Sequence, residues 1–145
     1  MFIANAGELS GDNYRKKLNC SESVLQAFDE LCKLGVGSGV RLATGFGGGI
    51  GHSNDICGAL SASIMVLGAL KGRIEPQDGD LSEIYKLSKG FHNCFKTQFN
   101  GTTCDVIRKH EFGTREQRLN CLDVITKTGE LLAKYLSDNA LTRIG

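Results

Sequence analysis

Ile56-Cys57-Gly58-Ala59-Leu60-Ser61-Ala62-Ser63-Ile64-Met65-Val66-Leu67-Gly68-Ala69-Leu70 is the longest apolar stretch of the chain, and its reading decides the fold. A membrane-crossing helix needs about 20 mostly apolar residues, and this run is shorter and broken by Gly58, Ser61, Ser63 and Gly68. It therefore reads as a helix from Ile56 to about Lys71, with Asn54 or Asp55 as its cap. Its residues are apolar or small on every side, which makes it the central, most buried element. The small residues Gly58, Ala59, Ser61, Ala62 and Ser63 let neighbouring backbones approach its first two turns, where Cys57 sits.

Working outward, Asn19-Cys20-Ser21-Glu22 is a capping-box pattern and starts a helix whose stripe is Cys20, Val24, Leu25, Phe28, Leu31 and Cys32, with Gly35 placed for a left-handed C-cap. Ser38 to Thr44 gives one or two helical turns before the loop Gly45-Phe46-Gly47-Gly48-Gly49-Ile50-Gly51-His52. Beyond Pro76, Asp80 with Glu83 opens a helix to about Phe99, with Ile84, Leu87, Phe91, Cys94 and Phe95 inward. Asn100-Gly101 ends it. Thr102 or Thr103 caps a short helix holding Cys104 and Ile107. Thr114 with Gln117 begins the last helix, whose stripe is Cys121, Leu122, Ile125, Leu132 and Leu136. No alternating run is long enough for a strand, so the expected class is all-α: one domain over residues 1–145 with about five helices.

The 145 residues are 41% apolar and 23% charged, ordinary for a globular domain able to bury a core without disulfides or a structural metal. Seventeen Lys and Arg against sixteen Asp and Glu leave a formal charge of +1, too weak a field for nucleic acid or an anionic membrane to be the main partner. The first residues show no basic segment followed by an apolar run, so a cytoplasmic protein without membrane insertion is expected. In a reducing cytosol, six cysteines point to metal ligands or redox thiols rather than static crosslinks.

Successive cysteines are 12, 25, 37, 10 and 17 positions apart, which excludes a local C-x-x-C knuckle. Cys20, Cys57 and Cys104 lie at or beside expected helix starts, where free N–H groups and the dipole favour a thiolate, the nucleophilic and metal-binding form. By this reasoning Cys57, flanked by the glycine loop, should be the most reactive thiol and Cys121 should ionise less readily. A lone free cysteine is more often an inert core residue, and the repetition at helix starts is what tells against that reading for Cys20, Cys57 and Cys104.

Asn19 to Val24, the glycine loop Gly45 to Gly51, Cys57-Gly58-Ala59, Phe99-Asn100-Gly101-Thr102-Thr103-Cys104 and Asn120-Cys121 together resemble a family of small redox-active proteins named for a C…C-G-A-x-x-G…C…C signature. The resemblance spans roughly Asn19 to Leu136. It implies redox chemistry carried by Cys20, Cys57, Cys104 and Cys121, with Cys32 and Cys94 as extras. Similar helical segments accompany haem domains in split-Soret cytochromes, where an iron–sulfur site has been proposed. One departure is Ala62, which stands where the motif ends in glycine and would narrow a close backbone or cofactor contact.

Two chemistries fit four converging cysteines: an iron–sulfur cluster held by thiolates, or cycling between dithiol and disulfide. A zinc-binding structural or protein-interaction module without redox activity is the competing reading from another class, so the expected cofactor is an iron–sulfur cluster, or otherwise zinc or none. The loop glycines do not fit G-x-G-x-x-G, since Ile50 falls where the last glycine would stand, which argues against a nucleotide. Gly47, Gly48 and Gly49, with Gly58, are expected either to bring N–H groups to an anion such as a thiolate or cluster sulfide, or simply to connect packed helices. His52 is either a proton acceptor or ligand beside Cys57, or a solvated loop residue; His92 and His110 fall on expected helices without partners. The Lys and Arg residues read as solvated faces. An unidentified redox protein is the expected partner, and the all-round apolar helix leaves monomer and homodimer both open.

Overall fold

A computed structural model describes residues 3–141. Its elements are α1 (Ala6–Arg15), α2 (Cys20–Cys32), a 3-10 segment (Gly37–Phe46), a short turn α3 (Gly47–Ile50), α4 (Gly58–Lys71), α5 (Ser82–Phe99), α6 (Cys104–Arg108) and α7 (Arg115–Asp138). The described residues contain seven helices and no strand, so the all-α expectation holds and the count of about five is low.

α4 is the centre of the molecule. It packs on α2, α5 and α7 and against the 3-10 segment. Leu60, Ala62, Val66 and Leu67 are fully buried, and its polar Ser63 returns its hydroxyl to Ala59 O at 2.8 Å. Phe28 of α2, Phe91 and Phe95 of α5, and Ile125, Leu132 and Leu136 of α7 complete the core. Fully burying each such side chain contributes about 1.5–3 kcal/mol, so this layer holds the helix ends that carry the cysteines.

The first capping box forms as read. Asn19 Oδ1 accepts from Glu22 N at 3.0 Å while Glu22 Oε1 accepts from Asn19 N at 2.9 Å, and Asn19 Nδ2 ties the cap to Thr44 O at 2.9 Å. The C-cap of α2 falls two residues before Gly35, at Lys33 in the left-handed region, with Leu34 N bonded to Asp29 O. The Asp80/Glu83 box does not close: Leu81 takes the cap position, and Asp80 accepts from Ser82 N instead. At α7, Thr114 Oγ1 accepts from Gln117 N, and Gln117 Oε1 reaches one residue further back to Gly113 N.

α1 was not legible from apolar periodicity because its buried face is Ala6, Gly7, Ser10, Gly11 and Asn13. It crosses α7 at close range: a Cβ on Gly7 would lie 2.6 Å from Thr126 O, and one on Gly129 would lie 2.7 Å from Ala6 O. α5 corrects a second expectation, since Cys94 is exposed rather than inward. Its stripe is Leu87, Phe91 and Phe95, and Cys94 falls beside it.

Candidate functional site: a cavity lined by four cysteines

Cys57 is the N-cap of α4, and Cys104 opens α6. The segments just before them are laced together by an isolated antiparallel bridge between Ile56 and Thr103. Cys57 N donates to Thr102 O at 2.8 Å and Cys104 N to Asp55 O at 2.7 Å. Two helix starts 47 positions apart are thereby set side by side. Gly49 makes this approach feasible, because a Cβ there would lie 2.6 Å from the Cys104 Cβ and from both Asp55 N and Asp55 O.

Cys20, on the first turn of α2, meets α4 at Gly58, where a Cβ would overlap the Cys20 sulfur. Backbone N–H groups of Gly48, Ser21 and Gly58 lie near that sulfur and favour its thiolate, as those of Ala59 and Leu60 do for Cys57. Cys121, on α7, accepts from Gln117 Nε2 at 3.1 Å. All four cysteines line one cavity of about 290 Å³, together with Gly48 and Gly58. Gly47 instead backs onto the Asn19 side chain. Cys32 is buried in the core and Cys94 is on the surface; neither reaches the cavity. Ala62 is buried but does not line the cavity, so its methyl group does not narrow it.

The glycine loop is a continuous left-handed turn. Gly48, Gly49, Ile50, Gly51 and His52 all have φ between 57° and 69°. For Ile50 and His52 this conformation costs about 1–2 kcal/mol each, offset here by hydrogen bonds from Asn54 N to Gly48 O and from Asp55 N to Gly49 O. The turn brings Gly48 N–H near Cys20 and lays the His52 ring over Gly48, where no Cβ could stand.

His52 is exposed and lines the same cavity as Cys57. Its ring stacks on Phe112, with centroids 4.0 Å apart and planes inclined by 7°. The Arg108 guanidinium lies against the Phe112 ring, 3.7 Å from its centroid. Arg108 also donates to Asn54 Oδ1 at 2.7 Å, to His110 O at 2.7 Å and to Cys104 Sγ at 3.7 Å. This half-buried arginine corrects the expectation that the basic residues are all solvated, and His110 sits past the end of α6 rather than on a helix. Arg108 and Gln117 each stand four residues from a cavity cysteine on the same helix, so the i,i+4 spacing could have revealed both. Phe112 and Tyr14 carried no such signal.

Burial dominates the electrostatics. It pushes the Cys57 thiol well up, and the two N–H donors at the helix start only partly oppose it. Burial likewise raises Cys20 against its three N–H donors, Cys104 against Arg108, and Cys121 against Gln117. Tyr14, beside Gln117, is pushed up to about 12 by burial and the neighbouring Cys121. The expectation that Cys57 carries a lowered, readily reactive thiolate is thus reversed: the helix start is present, but with the residue 7% exposed desolvation outweighs it.

A family model described as "Putative redox-active protein (C_GCAxxG_C_C)" matches residues 18–135. The chain belongs to this family. Cys20, Cys57, Cys104 and Cys121, the cysteines to which the sequence resemblance pointed, are the four around the cavity, and Cys32 and Cys94 are elsewhere. No curated protein and no solved structure matches the chain.

Proposed function

We propose that this member of the redox-active family is an electron-transfer protein in which Cys20, Cys57, Cys104 and Cys121 hold an iron–sulfur cluster. The observation that carries the reading is the convergence of four cysteines from four helices on one cavity whose walls include no Asp or Glu. The donor set suits the group: thiolates are the usual ligands of such clusters, and N–H donors to the sulfurs, as at Cys20 and Cys57, are among the features that set their potentials. The cavity of about 290 Å³ leaves room for the group, and Ile107, Val124 and Ile125 give it an apolar wall. When bound, a cluster supplies reversible one-electron oxidation and reduction. The chain's own part is to wall one side of the group with apolar side chains, to bring the Gly48 and Gly58 N–H groups near Cys20, and to place Arg108 where its charge offsets the Cys104 and Cys121 thiolates.

Zinc has less support from the geometry. A tetrahedral Zn–S distance of about 2.3 Å draws four sulfurs tightly together, and among the described residues no three His, Cys, Asp or Glu side chains are grouped closely enough for one ion. Dithiol/disulfide cycling is the second reading, favoured by the Arg108 guanidinium 3.7 Å from Cys104 Sγ. Against it stands burial, which raises all four thiols where an attacking thiol needs thiolate character.

Anaerobic reconstitution of the purified protein with ferrous iron and sulfide tests the proposal. The expected product is brown, contains iron and acid-labile sulfide, and gives an EPR signal in one of its two redox states. Cys57→Ser and Cys104→Ser should lose the colour, while Cys94→Ser keeps it. A colourless protein with all its thiols still titratable overturns the cluster reading; a disulfide that forms reversibly between two cavity cysteines would then support the second.

A further inference from the structure

Beside the cysteine cavity, on the other side of Tyr14, Asn19 and Arg118, lies an open groove of about 370 Å³. These three residues line both spaces. The groove's cations are Arg15, Lys17 and Arg118, its apolar residues are Leu18, Leu119 and Leu122, and no carboxylate lines it. Arg15 is matched by Asp12 at 2.7 Å. Lys17 and Arg118 enter no ion pair among the described residues. Because the whole chain carries only +1, this is a local concentration of positive charge and not the edge of a basic molecule.

We propose that this groove is the docking surface for an acidic partner protein, whose carboxylates meet Lys17 and Arg118 while an apolar side chain covers Leu119. Three features support a protein occupant. Leu119 is 52% exposed, a large apolar side chain left in water between cations. Apolar residues framed by charges are the composition of protein interfaces, and complementary charge steers encounter and fixes register. The groove is also open, where a small ligand gains most from enclosure. A partner seated there is separated from the cysteine cavity only by the wall of Tyr14, Asn19 and Arg118. That the partner is an electron carrier rests on the proposed function; the docking itself does not.

The test is calorimetric or fluorescence titration of the full chain with an acidic plant-type [2Fe–2S] ferredoxin as probe at low ionic strength, with a basic cytochrome c as the opposite-charge control. Binding of the ferredoxin alone is expected, weakening as salt is added. Lys17→Glu and Arg118→Glu, both at exposed positions, should each weaken it about tenfold or more, Leu119→Ser several-fold, and Lys89→Glu on α5 not at all. Thermal unfolding of each variant verifies that it is folded. No binding at low salt, equal binding by the Lys17 and Arg118 variants, or preference for the basic probe overturns the proposal. Binding of inorganic pyrophosphate in place of the ferredoxin, abolished by the same two variants, also overturns it and makes the groove a small-anion site. Lys17 and Leu119 line the groove and not the cysteine cavity, so cluster reconstitution of Lys17→Glu and Leu119→Ser can succeed or fail independently of their docking, which separates this proposal from the functional one.

Discussion

Gly58 and Gly68 lie in the same helix and should respond to alanine in opposite directions. A Cβ at Gly68 meets nothing within 4 Å. Replacing it restricts the unfolded chain and removes a poor helix former, a gain of about 0.4–1 kcal/mol. At Gly58 the same methyl group would overlap Cys20 Sγ and lie 3.0 Å from Phe46 O and 3.2 Å from Ser21 Cβ. The first neighbour is the sulfur of a half-buried side chain held on α2 and the second is backbone, so relief requires moving α2 or the glycine turn, an overpacking cost of about 1–3 kcal/mol. Any gain that Gly58→Ala shares with Gly68→Ala cancels when the two are compared, leaving the collision. For a chain near 150 residues each kcal/mol moves Tm by about 2–4 °C, so the melting points should differ by about 2–12 °C with Gly58→Ala the lower. Thermal and urea unfolding of metal-free, reduced protein give the comparison, and mass-mapped alkylation should show Cys20 more accessible in Gly58→Ala. Equal melting points, with Cys20 labelling unchanged, would refute the contact between α4 and the Cys20 sulfur on which the site's geometry depends.

Limited alkylation of the metal-free protein at neutral pH should label exposed Cys94 first and Cys57 among the last; Cys57 reacting in the fastest phase would contradict the burial argument. Phe112→Ala should remove the stack with His52 and Arg108 and speed labelling of Cys104 relative to buried Cys32, with little change in Tm; an unchanged ratio would show that the stack does not limit access. Asn19→Ala removes the N-cap of α2 and the tie to Thr44 O, and should cost about 1 kcal/mol, or up to about 2, in urea unfolding. The four cavity thiols and Tyr14 all hold their protons more tightly folded than unfolded, so their contribution is complete below the ordinary thiol range and is lost as pH rises, for Tyr14 through about 12. Metal-free Tm should therefore fall from pH 8 to pH 11, and a flat or rising profile would show the thiols to be solvated.

Helices with one-sided apolar periodicity or a side-chain cap could be read from sequence. α2 announced itself through Asn19 and Glu22, α7 through Thr114 and Gln117, and α4 through an unbroken apolar and small composition. α1 could not be read, because it is buried by smallness rather than by hydrophobicity: Gly7, Ser10 and Gly11 matter for the backbone they let approach. Cys94 was misplaced for a related reason. It sits next to Phe95 and three residues after Phe91, and periodicity resolves a stripe no more finely than one helical position. Of the candidate site, the four cysteines and the glycines were visible as residue types, whereas the bridge between Ile56 and Thr103 and the stack on Phe112 join segments about 50 to 60 positions apart. No local pattern encodes such a pairing.

The Cys57 reversal shows why position on a helix does not fix the chemistry of a thiol. The start of α4 offers Cys57 the N–H groups of Ala59 and Leu60, as the helix-start argument requires. Those donors can lower the thiol only by what two partly aligned dipoles contribute, whereas desolvation acts on the whole charge. With the residue 7% exposed, the second effect wins. The same donors would serve a metal-bound thiolate, because coordination spreads the sulfur's charge and removes the penalty that burial places on the free anion. A buried cavity that keeps its thiols protonated and yet retains N–H donors to Cys20 and Cys57 is therefore poorly arranged for attack on a solvent-borne disulfide. For holding a charged centre away from water, the same features are an advantage.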